Sequence, residues 1–352
     1  MLSEMTVRSH FRKQAAACAR LGSPFTARLL ELAAEQLGGA GQVGRTVLDW
    51  PGDPTADALA LRLAGGLHAL VLSGAAPELA AVYPRGARAD DPAALWPAIT
   101  RALEGQADYL EHFLERPPQT NEVARSGVLL GGFLTVAAET GLPLRLLEIG
   151  ASAGLNLVFD AYAYDLAEAG WGPEDAPLRL SPAWRGALPP LGPVEIRARS
   201  GCDRTPIDPR DLDDRLRLRA YVWADQPARR HRLEAALDIV AGTDLRIEQA
   251  DAADWVEKHL AEPARGVATV LFHSIVWQYL ARETRDRVAA AIARGGRRAA
   301  SGSPLAWLRM EPAPERGHAE LRLTLWPGAD ERLLAHADYH GRWVRWLSGP
   351  LA

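Results

Sequence analysis

The chain has 352 residues, 48% of them hydrophobic, which suits two domains of ordinary size with a sizeable core and excludes a disordered composition. A formal net charge of −4 gives no electrostatic ground for binding nucleic acid, and Cys18 and Cys202 alone supply neither a disulfide framework nor a zinc spacing. With no signal-peptide core at the start and no run of about 18 uncharged apolar residues, the expectation is a cytoplasmic protein with no membrane partner and no bound metal.

Residues 1–143 read almost wholly as helix, over 5–20, 24–38, 55–74, 94–115 and 121–140. Ser23-Pro24 puts a proline in a first turn and Gly38-Gly39 closes the same helix. Leu59, Leu63, Leu67, Leu70 and Val71 recur at helical spacing. No period repeats, so a solenoid is not expected.

The pattern changes at Leu144. Strands are predicted at 144–149, 194–199, 245–250, 267–273 and 304–310. Helices are predicted between them at 153–169, 211–241, 252–261 and 283–294. An antiparallel pair at 319–326 and 332–338 follows, joined through Trp326-Pro327-Gly328. Such alternation predicts an α/β domain with a mostly parallel sheet over 144–352, after an all-helical domain over 1–143. A parallel sheet closed by a hairpin is the arrangement of Rossmann-like S-adenosylmethionine (SAM) methyltransferases. Residues 170–193, rich in Pro, Gly and Trp, are too long for an ordinary connection and read as an insertion, a small β-ribbon.

The stretch Leu146-Leu147-Glu148-Ile149-Gly150-Ala151-Ser152-Ala153-Gly154-Leu155-Asn156-Leu157 carries most of the chemistry. It places an acid and a small-residue loop after a buried strand, which gives a ligand access to backbone N–H groups. A SAM loop has the pattern acid-x-Gly-x-Gly-x-Gly. Glu148, Gly150 and Gly154 match it, and Ser152 replaces the middle glycine. The dinucleotide fingerprint needs glycine where Ser152 and Leu155 stand. The serine-hydrolase elbow Gly-x-Ser-x-Gly is matched in full by 150–154. Its context is poor, since helices rather than strands precede it and no His-Gly-Gly segment is present. His273, His318 and His336 are its candidate triad histidines. Ala151 and Asn156 complete the predicted cofactor loop.

Later strand ends also carry acids. Asp203 follows the second strand and is the candidate for the ribose hydroxyls, with Asp208 as competitor. Asp251 follows the third, where its carboxylate and the Ala252 backbone would take adenine. Either position could equally be a helix cap. The fourth strand ends in His273-Ser274-Ile275-Val276-Trp277-Gln278-Tyr279. His273 is the candidate base and Tyr279 would face the methyl acceptor with it, while Trp277 would line the acceptor's wall. Upstream, Asn121, Glu122 and Arg125 cluster at a helix start. They read as a substrate or SAM-carboxylate site, or as an internal Glu122–Arg125 pair.

The 146–157 motif resembles the central motif of a bacterial domain-of-unknown-function family of about this length. The likeness extends to Pro118–Ser126, Arg199–Asp208, Tyr221–Gln226, His273–Tyr279 and Trp326–Gly328. The resemblance implies a helical N-terminal half and a Rossmann-like SAM-dependent methyltransferase domain. It implies no particular substrate. The reading is therefore methyl transfer from SAM to a small molecule. A Ser152 hydrolase and a non-catalytic SAM-binding protein are the alternatives.

Overall fold

A computed structural model describes residues 2–313, 315 and 317–347. In chain order the first helices are α1 (Leu2–Arg20), α2 (Pro24–Gln36), α3 (Gln42–Leu48), α4 (Leu59–Leu72), α5 (Pro77–Val82), α6 (Leu95–Gly105), α7 (Ala107–Glu115) and α8 (Ser126–Thr140). Strands β1 (Leu144–Ile149), β2 (Ala163–Leu166), β3 (Ala169–Trp171), β4 (Arg179–Leu180), β5 (Ala183–Arg185) and β6 (Ile196–Asp203) follow. Then come α9 (Leu212–Tyr221), α10 (Pro227–Ala241), β7 (Ile247–Gln249), α11 (Ala252–His259), β8 (Ala268–Ser274) and α12 (Arg282–Arg298). The described chain closes with β9 (Leu305–Pro312), β10 (Ala319–Trp326), β11 (Asp330–Ala337) and β12 (Trp343–Trp346). Among the described residues no helix is long and apolar enough to cross a membrane.

Two compact units result: Met1–Thr120 with Asp211–His231, and Asn121–Arg210 with Arg232–Ala352. This division differs from 1–143 and 144–352 in two places. Helix α8 belongs with the sheet, and residues 211–231 belong with the N-terminal helices.

The helical unit is built on apolar stripes, with Phe11, Leu30, Leu63, Leu67, Ile99 and Leu110 in one buried cluster. Three contacts explain why residues 211–231 join it. A Cβ at Gly65 would lie 2.6 Å from Tyr221 Cε1, so the missing side chain on α4 lets the end of α9 approach. Buried His68 bonds the Ala220 carbonyl through Nδ1 (3.1 Å), and burial pushes its pKa down to about 4, so it is neutral at physiological pH. Ser23 is the N-cap of α2, yet its side chain makes no cap bond. Asp225 does that work instead, accepting from the Phe25 N–H (2.9 Å) and from Ser23 Oγ (2.5 Å). The cap of α2 thus comes from a residue about two hundred positions away.

In the second unit a nine-stranded sheet runs in the order β5-β12-β11-β10-β9-β8-β1-β6-β7. From β7 through β9 neighbouring strands are parallel. The chain moves outward from β1 to β6 and β7, then returns to β8 and β9 on the other side of β1, so the direction of winding reverses at β1. The sheet continues antiparallel through β10, β11 and β12, with β5 parallel to β12 at its edge. The expected closing hairpin is present as β10–β11, within a longer meander. The 170–193 segment supplies β3's last two residues, β4 and β5. Strands β3 and β4 flank β2 in a separate three-stranded sheet, and Trp184 of β5 stacks on Trp346 of β12 (centroids 5.7 Å apart).

Helix α8 lies on this sheet because two adjacent glycines let it. A Cβ at Gly131 would fall 2.4 Å from the Trp346 ring, and one at Gly132 would fall 2.3 Å from Leu308. Phe133 of α8 stacks on Phe159 (4.3 Å) and meets Phe272 of β8 edge-on (5.1 Å).

One predicted element is absent. Residues 153–169 are not a helix: a short 3₁₀ segment spans Leu155–Ala161, kinked at Val158, and strands β2 and β3 follow. Gly154 is left-handed (φ +76°), and Val158, Phe159, Tyr162 and Tyr164 favour extended backbone. An N-terminal helix dipole aimed at a ligand is therefore not available at this loop.

The remote cap carries a prediction. Asp225→Ala removes the carboxylate that accepts from Phe25 N–H and Ser23 Oγ at the start of α2 and should lower unfolding stability by about 1–2 kcal/mol in urea titration. Asp225→Asn should recover most of that loss. Equal stability of Asp225→Ala and wild type would contradict the cap.

Candidate functional site

The loop after β1 is anchored from three directions. Ala151 N–H bonds the Cys202 carbonyl (3.0 Å), which continues the β1–β6 ladder past the strand end. Ser152 N–H donates to Asp203 Oδ2 (3.0 Å). Asn121 Oδ1 accepts from both Ala153 N–H (3.2 Å) and Leu155 N–H (3.1 Å). Asn121 was expected at a ligand; it holds the loop instead.

The two glycines are explained by conformation and packing. Both have positive φ, +68° at Gly150 and +76° at Gly154. A Cβ at 150 would lie 2.5 Å from Val276 Cγ2, and one at 154 would lie 2.9 Å from Leu245 and Ile247 methyls. Ser152 shares the left-handed region at φ +52°, unusual for a residue with a Cβ.

Three polar atoms here are buried without a hydrogen-bond partner among the described residues: Glu148 Oε2, Ser152 Oγ and Asn156 Nδ2. Asn156 Oδ1 accepts from Ser126 Oγ (2.7 Å). Burial drives the Glu148 carboxyl well above the usual carboxylate range, and the Asp203 charge adds to the rise. The facing Asn156 amide and the Arg125 charge oppose it. Among the described residues no base bonds Ser152 Oγ, so none of them activates it as a hydrolase nucleophile.

The turn after β8 is held as firmly. Ile275 has φ +54°, an outlier for a β-branched residue. Its N–H bonds the Met310 carbonyl (2.9 Å). Arg125 Nη1 donates to the Ser274 carbonyl (3.1 Å), and its Nε donates to the Tyr339 carbonyl (3.0 Å). Glu311 Oε1 accepts from Val276 N–H (3.0 Å), Trp277 N–H (3.2 Å) and His273 Nδ1 (2.6 Å).

His273 is sealed by these contacts. It is fully buried. Trp307 Nε1–H donates to its Nε2 (3.1 Å), so the ring's proton sits on Nδ1 and points at Glu311. Trp277 stacks on the ring (5.2 Å, 14° between planes) and Trp307 flanks it. With both nitrogens engaged and no exposure, His273 is not placed to act as a base. It is a packed, hydrogen-bonded core histidine. Tyr279 is 74% exposed at the end of a 3₁₀ turn. Trp277 is half-buried against His273 rather than lining an open wall.

The strand-end acids lie where expected, with structural work of their own. Asp203 also accepts the Thr205 N–H through Oδ1 (3.0 Å), and its carbonyl takes the Ala250 N–H (3.0 Å). Asp203 therefore links the ends of β1, β6 and β7. Asp208 accepts from Arg210 N–H (3.0 Å), and the preceding Ile207 N–H bonds the Ser152 carbonyl (3.2 Å). Asp251 is exposed and caps α11, accepting the Ala253 N–H (2.8 Å), while Ala252 is buried at the first position of that helix. Glu122 caps the turn before α8 by accepting the Ala124 N–H (3.3 Å).

Sequence reasoning missed Glu311 and Trp307. The signal for Glu311 was present: an acid follows the apolar run Leu305–Met310, as Asp203 and Asp251 follow theirs.

Glu148 yields a pH prediction. Its folded pKa lies above the ordinary 4.5, so the folded chain holds a proton that the unfolded chain releases. Stability from this group therefore falls as pH rises above about 4.5 toward the raised value. Glu148→Gln removes that titration. At pH 8 it should melt higher than wild type by about 2 °C or more, with the gap closing toward pH 4. Parallel melting curves for the two proteins at every pH would contradict the buried, neutral carboxyl.

A family of bacterial proteins, DUF2332, described as "Uncharacterized protein conserved in bacteria", matches residues 8–346. No curated protein and no solved structure matches the chain.

Proposed function

We propose, for a chain that belongs to the DUF2332 family over nearly its whole length, that the ends of β1, β6 and β7 bind S-adenosylmethionine and that the protein transfers its methyl group to a small molecule. The observation that carries this reading is the placement of the 150–154 loop, Asp203 and Asp251 at the C-terminal ends of three adjacent parallel strands, beside the point where winding reverses. Ligands of open α/β sheets gather there. The order β7-β6-β1-β8-β9 is also the 3-2-1-4-5 order of doubly wound nucleotide-binding sheets, which supports a Rossmann-like assignment. Beyond β9 the antiparallel meander departs from that plan.

The residues fit the cofactor in two respects. Asp203 and Asp251 offer carboxylates, to the ribose hydroxyls and the adenine amino group respectively, with the Ala252 backbone beside Asp251. Ser152 Oγ is buried without a partner among the described residues, and Glu148 Oε2 and Asn156 Nδ2 make no close hydrogen bond there although the amide faces the carboxyl; groups of that kind call for a ligand or water. The glycines contribute differently from the initial expectation. Their clearance is already used by Val276, Leu245 and Ile247, so they shape the loop and do not open it.

SAM supplies an activated sulfonium methyl, lost by in-line displacement. The chain's own task is to hold and orient the two reactants. His273 is closed off and Tyr279 points to solvent, so this reading assigns proton removal to neither. It favours an acceptor that is nucleophilic at neutral pH without a histidine base.

Calorimetric titration with SAM and its demethylated product tests the proposal. Asp251→Ser is the informative variant, because serine caps a helix as well as aspartate does while its shorter side chain withdraws from adenine. Wild type should bind, and Asp251→Ser should bind about tenfold more weakly at unchanged melting temperature. No binding by wild type would overturn the function. Equal binding by the variant would overturn the assignment of Asp251.

A further inference from the structure

A second polar cluster lies on the antiparallel half of the sheet. Strand β10 pairs with β11, and Glu320 stands directly opposite His336. His318 precedes Glu320 by two residues, so the extended chain presents both on one face. One donor atom from each of His318, Glu320 and His336 lies within 4.8 Å of the others. The two imidazole rings are 4.5 Å apart between centroids, at 51° to each other. All three residues are half-buried, open enough for an ion to enter from solvent.

We propose that His318, Glu320 and His336 form a site for a divalent transition-metal ion, with zinc as its natural probe. Two imidazole nitrogens and one carboxylate oxygen make a ligand set that zinc accepts in tetrahedral geometry, with a fourth position left for water or a ligand. Donor atoms around tetrahedral zinc stand about 3.4 Å apart. Closing from the present spacing needs small side-chain rotations: register holds the Cα positions of Glu320 and His336, and the His318 carbonyl is held by Ala313 N–H (3.0 Å) just before the strand. A hairpin is a rigid platform for such a site.

The surrounding charges set the affinity. Arg322 donates to Glu320 Oε2 (2.7 Å), which leaves the other carboxylate oxygen for the ion. The Arg322 charge is shared with Glu331 through Nη1 (2.8 Å), and Arg309 also meets Glu331. Arg345 lies opposite His336 across β12, on an exposed position where water screens it. These cations weaken a metal site without blocking it. The ligand set does not depend on SAM binding at the far side of the sheet order, and each proposal can fail alone.

The experiment is titration of the metal-stripped full chain with Zn²⁺ by calorimetry, repeated with Co²⁺ to read ligand-field absorption. One ion per chain should bind, with the Co²⁺ spectrum of a four-coordinate nitrogen–oxygen site. His336→Ala should weaken binding by more than the roughly 10–100-fold that loss of an outer-shell partner costs. His112→Ala, at an exposed histidine outside the cluster, should bind as wild type does. In the unmutated chain, Zn²⁺ should shield His318 and His336 from an imidazole-acylating reagent, a readout that needs no variant. Absence of saturable binding, unchanged affinity in His336→Ala, or acylation of both histidines at full rate under zinc would each overturn the site.

Discussion

A single carboxylate oxygen organises the centre of the sheet unit. Glu311 Oε1 accepts from His273 Nδ1, Val276 N–H and Trp277 N–H. The first bond fixes the tautomer of a buried histidine, and the other two hold the turn that leaves β8. That turn contains Ile275 in a left-handed conformation costing about 1–3 kcal/mol, so it persists only because its surroundings over-determine it. Val276 then fills the space above Gly150, which sets the shape of the neighbouring β1 loop. Asn121 and Arg125 from one segment and Asp203 from the end of β6 complete the lock. The cost of burying Glu311 Oε2 and Arg309 Nε without partners is borne at the same place.

This constraint changes the meaning of the motif residues. Gly150, Gly154 and Asn121 all have sufficient reasons within the fold, and so do His273 and Trp277. What packing leaves unexplained is narrower: the atoms of Glu148, Ser152 and Asn156 without a close partner among the described residues; the carboxylates of Asp203 and Asp251 have bonds within the fold but stand at the strand ends where a ligand would meet them. The functional reading rests on those and on the reversal of winding at β1. It does not rest on a base, since His273, the histidine at the end of β8, is enclosed.

Strand positions were legible because each apolar run is short, bounded by turn residues and too brief for a helix. β1 matched its predicted limits, and the β10–β11 hairpin followed from Trp326-Pro327-Gly328. The helix at 153–169 was misread because its apolar residues suit either period, while the left-handed Gly154 and the aromatic run after Val158 decide for short extended pieces. The unit division was not legible, because Asp225 and Tyr221 reach α2 and α4 across long stretches of sequence. Sealing of His273 depends on Trp307 and Glu311, one strand further along. The nearness of His336 to Glu320 was not legible either, because only hairpin register brings the two together. Local pattern carries the elements; contacts between distant segments carry the roles.

Hydrogen exchange with and without SAM tests the central claim most directly, because it reports on backbone amides at the proposed junction in the unmodified protein. The account predicts slower exchange in the peptides covering 150–155, 203–205 and 251–253, with little change in β10 and β11. Unchanged exchange at all three strand ends under saturating SAM, or protection confined to other segments, would contradict it.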